Sequence, residues 1–117
     1  MKILVAGDLL PFGRVADLFD QKEYEQVLGQ VQGCIKGADY SIVNFECPIC
    51  KGDEQPIKKC GPNHKCTESA IGAIQYAGFH CVTLANNHFR DFDNKGCYHN
   101  LNIIPTFFWM PFYKVAA

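Results

Sequence analysis

Three short apolar runs, each closed by polar residues, set the limits on what this chain can fold into. Lys2 to Ala6 ends at Gly7-Asp8, Tyr40 to Phe45 ends at Glu46, and Phe79 to Leu84 leads into Ala85-Asn86-Asn87-His88. Runs of this length, rich in aliphatic and β-branched residues, suit buried strands of a parallel sheet. The intervening segments have a different period. Tyr24, Val27, Leu28, Val31 and Ile35 recur at i, i+3, i+4 and i+7, which predicts a helix that Gly37 stops. Val15, Leu18 and Phe19 just before it have mixed helical spacing. Residues 47–65 read as loop, with Pro48, Gly52, Pro56, Gly61 and Pro62. Thr67 caps a further helix with Glu68 in its first turn, Ile71, Ile74 and Tyr76 or Ala77 on its apolar face, and Gly78 at its end. Asp93 caps a last helix starting near Asn94. The order β-α-β-loop-α-β-α predicts an α/β fold with a mostly parallel sheet and right-handed crossovers.

At 117 residues the chain is one small domain's worth of sequence, and its formal net charge is −1. That balance excludes a generic nucleic-acid binder, which needs a basic excess. No apolar run approaches the roughly 20 residues of a membrane-spanning helix. The first apolar stretch runs straight into Asp8, unlike a signal peptide, so a cytoplasmic place with reduced thiols is expected. The seven cysteines are an odd number. Cys47, Cys50, Cys60 and Cys66 offer one alternative reading, a small zinc-binding interaction module, although the second pair has five intervening residues where zinc sites have about two to four. Cys34, Cys81 and Cys97 read as small buried apolar residues.

The polar residues collect where parallel sheets carry function, beyond the carboxyl ends of the strands. Asp8 follows the first run, Asn44 and Glu46 end the second, and Asn86, Asn87 and His88 follow the third. Each alone fits a plainer role: a Gly-Asp turn, a solvated glutamate, turn-forming asparagines, a surface histidine. Together they bring carboxylate, amide and imidazole donors to one edge from three chain-distant segments. Such donors suit Mn²⁺, Fe²⁺ or Zn²⁺. Two such ions about 3.5–4 Å apart polarise a phosphoryl oxygen and activate water.

Gly7-Asp8 through Gly13-Arg14, the stretch Asn44-Phe45-Glu46-Cys47-Pro48, Lys58-Lys59-Cys60-Gly61-Pro62, and Leu84-Ala85-Asn86-Asn87-His88 with Asp91 occur in that order. In combination they resemble the CapA family of poly-γ-glutamate capsule synthesis proteins, a branch of the calcineurin-like metallophosphoesterases. The resemblance covers about residues 2 to 100. It implies that Asp8, Glu46 and Asn87 are metal ligands, that His88 assists the leaving oxygen, and that Arg14, Asn44, Lys59, Asn86 and Asp91 support the site or meet substrate. It further implies a divalent metal cofactor, an anionic polymer or phosphoester substrate, and a partial metallophosphoesterase-like fold.

The resemblance stops before the histidines that the superfamily supplies from its second half, which leaves unaided catalysis in doubt. Residues 101–117 also differ from the rest. They hold Phe107, Phe108, Trp109, Phe112 and Tyr113, and Lys114 is their only charge. A truncated CapA-like domain over 1–100 followed by an atypical aromatic tail is therefore expected. A half-fold leaves apolar surface uncovered, so a homo-oligomer is expected too. A non-catalytic fragment or assembly module is the remaining alternative.

Overall fold

The alternating runs do form parallel strands. The computed structural model describes residues 1–93 and 104. Its elements are β1 (Ile3–Leu9), α1 (Arg14–Asp20), α2 (Tyr24–Lys36), β2 (Tyr40–Phe45), α3 (Ser69–Ala77) and β3 (Cys81–Thr83). The strands make one parallel sheet in the order β1-β2-β3. Right-handed crossovers between neighbouring parallel strands put the helices on a single face. This small α/β unit is consistent with a partial metallophosphoesterase-like fold. The helix expected from Asn94, and all of the segment 101–117 except Ile104, lie outside the described residues.

The expected helix over Tyr24–Ile35 forms as α2, and the mixed segment around Val15, Leu18 and Phe19 forms a separate short helix, α1. α1 ends at Asp20, and Lys22 takes the left-handed φ of 62° that breaks the chain before α2. Gly13, with φ 54° and ψ −132°, makes the bend into α1 that a side chain would resist. α3 ends as its sequence predicts. Gly78 is left-handed, at φ 85°, and its N–H donates to the carbonyls of Ile74 and Gln75. The N-terminus of α3 is held from outside, because Asp20 Oδ1 accepts from both Thr67 Oγ1 and Ser69 Oγ. Those hydroxyls hold the Asp20 carboxyl below its ordinary pKa.

The core lies between sheet and helices. Phe19, Leu28, Ile35, Val43, Phe45 and Ile74 are buried in it, with Ile104. Tyr24 of α2 lies against α3 at Gly72, where an added Cβ would come within 2.3 Å of the tyrosine oxygen. Among the described residues, the opposite face of the sheet is open at β1 and β2. Ile3 is 53% exposed, Val5 74% and Tyr40 42%.

One irregularity in β1 decides where Asp8 points. β1 is longer than the apolar run suggests, and its register slips between Val5 and Asp8. Ile3, Leu4 and Val5 face Tyr40, Ser41 and Ile42, but Asp8 and Leu9 then face Asn44 and Phe45. β1 thus holds one more residue than β2 across that interval, a β-bulge. In an unbroken strand Asp8 would share the core-facing side of Leu4 and Ala6, and Leu9 would face out. The bulge reverses both. Leu9 packs beside the buried Phe45, and Asp8 joins the open face beside Asn44.

Candidate active site

The bulge creates a polar row across the carboxyl ends of the strands. Asp8 pairs with Asn44, and Asn44 with Thr83. Asn44 Nδ2 donates to Asp8 Oδ1 at 2.7 Å. Asn44 Oδ1 accepts from Thr83 Oγ1 at 3.0 Å and from Asn86 Nδ2 at 3.3 Å. The amide is therefore fixed in orientation, with its nitrogen towards the carboxylate. Asn86 Nδ2 also donates to the Phe45 carbonyl at 2.9 Å, tying the turn after β3 to the end of β2.

Asn86 leads directly to the histidine. Its Oδ1 accepts the His88 backbone N–H at 3.0 Å. The His88 ring is fixed in turn by Asp91, with Nδ1 2.7 Å from Asp91 Oδ2. A carboxylate acceptor at Nδ1 requires the proton there and leaves Nε2 as the atom available for proton transfer. Asp91 is completely buried. It also accepts the His64 backbone N–H at 2.7 Å and an ion pair from Lys59 Nζ. Burial alone would push the Asp91 carboxyl up. The Lys59 ammonium, the His64 amide and the His88 ring outweigh it and hold the group below its ordinary value.

His64 and Phe12 wall this cluster. The His64 and His88 rings are 4.5 Å apart at 59°, and Phe12 meets His64 edge-on at 5.6 Å. His64 Nδ1 and Asn63 Oδ1 are buried atoms without a hydrogen-bond partner among the described residues.

Asp8, Asn44, Asn86, His88, Asp91 and Lys59 thus form one connected network. Lys59 is engaged with Asp91 rather than presented as a free cation. Glu46 follows β2 directly and is half-buried, its N–H donating to the Leu9 carbonyl at 3.1 Å beside Asp8. Asn87 is exposed between Asn86 and His88. Arg14 opens α1 on the surface, and no described hydrogen bond or ion pair joins it to the network. Thr83 and His64 were not singled out in the sequence. Thr83 was hidden inside a strand, and nothing in the loop around His64 announced that its amide meets a carboxylate 27 positions away.

Among the described residues, no three of His, Cys, Asp and Glu are grouped so as to hold a metal ion. The candidate set is of another kind, two carboxylates and an amide. Asp8, Glu46 and Asn87 offer oxygen donors only, a chemistry that suits a hard divalent cation, and Asp8 already has the hydrogen-bonded support usual for a ligating carboxylate. In donor chemistry alone, this set is of the kind a hard divalent cation takes.

The sequence matches the family described as bacterial capsule synthesis protein PGA_cap over residues 2–105. The chain belongs to this capsule synthesis family. It is also 29% identical over 98 residues to the capsule biosynthesis protein CapA of Bacillus anthracis, an alignment covering 82% of this chain and 24% of the relative. The chain thus spans about a quarter of the length of that relative. The PGA_cap match includes the polar row, the Asp91 cluster and the loop between them. It ends within the segment 101–117 set apart by composition. No helix among the described residues is long and apolar enough to cross a membrane.

Proposed function

We propose that this chain carries a metallophosphoesterase-type site that acts on an anionic polymer or phosphoester in capsule biosynthesis. The supporting observation is a histidine oriented by a buried carboxylate and hydrogen-bonded through Asn86 and Asn44 to Asp8. Asp8, Glu46 and Asn87 would hold a divalent cation such as Mn²⁺. When bound, that ion polarises a phosphoryl oxygen and lowers the pKa of a water.

The chain's own residues supply position and proton transfer. Asn44, fixed by Thr83 and Asn86, aims the Asp8 carboxylate. Asp91 keeps the His88 proton on Nδ1, so Nε2 exchanges a proton with the reacting oxygen. Lys59 and the His64 amide keep Asp91 ionised and stationary.

The test is Mn²⁺-dependent hydrolysis of bis(p-nitrophenyl) phosphate by the purified chain. Asp8→Ala and His88→Ala are each expected to lower the rate by about 10²–10⁴-fold. A wild-type chain without turnover, or activity that survives both substitutions, contradicts the catalytic reading.

A further inference from the structure

The His64 side chain lies against the site, yet Asp91 engages only the backbone of that residue. The His64 N–H donates to Asp91 Oδ2 at 2.7 Å, and the same oxygen faces His88 Nδ1 at 2.7 Å. One carboxylate oxygen thus anchors both residues, and their rings lie 4.5 Å apart at 59°. Asn63 closes the loop behind His64, its Nδ2 donating to the Ile57 carbonyl at 2.9 Å. Phe12 meets the His64 ring edge-on at 5.6 Å and is itself 70% exposed, so this contact lies at the surface rather than in the core.

The two ring nitrogens of His64 differ. The residue is half-buried, and Nδ1 is a buried atom with no hydrogen-bond partner among the described residues. A buried N–H without an acceptor is the costlier arrangement, so the neutral ring keeps its lone pair at Nδ1 and its proton at Nε2. Nε2 also has no partner among the described residues, and it is the nitrogen at which the ring reaches solvent. His64 therefore presents an N–H donor beside His88 without adding a charge there. Lys59 Nζ, 3.3 Å from His88 Nδ1, is already engaged by Asp91.

We propose that His64 is a substrate-binding residue whose Nε2–H donates to a non-bridging oxygen of a phosphoryl group held beside His88. Hydrogen bonds of about 2.8 Å from two rings at that separation reach two oxygens of one tetrahedral anion. His64 then orients the group, and His88 Nε2 faces its leaving oxygen. The choice of a phosphoryl ligand rests on the phosphoesterase reading of the site, but the binding step needs no turnover.

The test is long-range proton–nitrogen NMR of the imidazoles in the isotopically labelled full chain, titrated with inorganic phosphate in the presence of diamagnetic Mg²⁺. His64→Leu and His64→Gln both keep the backbone N–H that Asp91 accepts. The free chain is expected to show His64 protonated at Nε2, and phosphate is expected to shift the His64 and His88 rings together and saturably. His64→Leu is expected to weaken phosphate binding by about tenfold or more, the loss of one hydrogen bond to a charged group. His64→Gln, which carries a side-chain N–H, is expected to recover part of it. The proposal is overturned if phosphate shifts neither ring or His88 alone, if the neutral His64 ring carries its proton at Nδ1, or if His64→Leu binds phosphate as tightly as wild type. Assignment through the backbone lets the wild-type spectra alone decide if a variant does not fold. The phosphoesterase reading fails separately. Absent Mn²⁺-dependent turnover with both rings still moved by phosphate removes that reading and keeps His64 as a binding residue. Turnover that requires His88 but is unchanged in His64→Leu does the reverse.

Discussion

A carboxylate without solvent contact persists only where donors surround it, and Asp91 has three. Replacing it with alanine strands the Lys59 ammonium and the His64 amide, at an expected cost of about 3–5 kcal/mol in chemical denaturation. Because its pKa is lowered on folding, its contribution is complete above the unfolded-state value of about 3.9 and is lost as pH falls through the lower folded value. Thermal melts should show a loss of stability in that acid range for wild type, and a shallower one for Asp91→Asn. An identical acid limb in both would mean that the ion pair with Lys59 is not formed. The sequence singled out Asp91, His88 and Lys59 by their motifs. It did not show that Lys59 and Asp91 meet, because the loop joining them has no periodicity from which a partner 32 positions away can be read.

At the scale of elements, the strands and the two longer helices were legible because apolar residues mark both faces or a stripe at period 3.6. The β-bulge was not. A register slip depends on the pairing of β1 with β2, which no local pattern encodes, and it alone turns Asp8 away from the core. Removing Gly7 should restore a regular register with Asp8 still opposite Asn44 and Leu9 still opposite Phe45. The deletion is therefore expected to fold with a Tm close to wild type, whereas the shift of two partners would lower it sharply. Gly72→Ala tests the helix packing. Its Cβ would meet the Tyr24 ring, which is already held by Phe19 at 5.9 Å and Tyr76 at 6.0 Å. The expected loss is about 1–3 kcal/mol by denaturant titration.

Across the whole molecule, helices cover one side of the sheet, and the other carries the polar row at one end and exposed Ile3, Val5 and Tyr40 at the other. Apolar sheet surface of this kind favours association. We expect sedimentation velocity to show concentration-dependent self-association that Val5→Lys weakens; a monomer at every concentration would oppose this. The polar end of the face is where the proposed chemistry stands or falls. The most direct measurement is calorimetric titration of the metal-free chain with Mn²⁺. Saturable binding that is lost in Asp8→Ala and Glu46→Ala, but kept in His88→Ala, is the expected result. No binding, or binding unchanged in both carboxylate variants, would contradict a metal site at the strand ends.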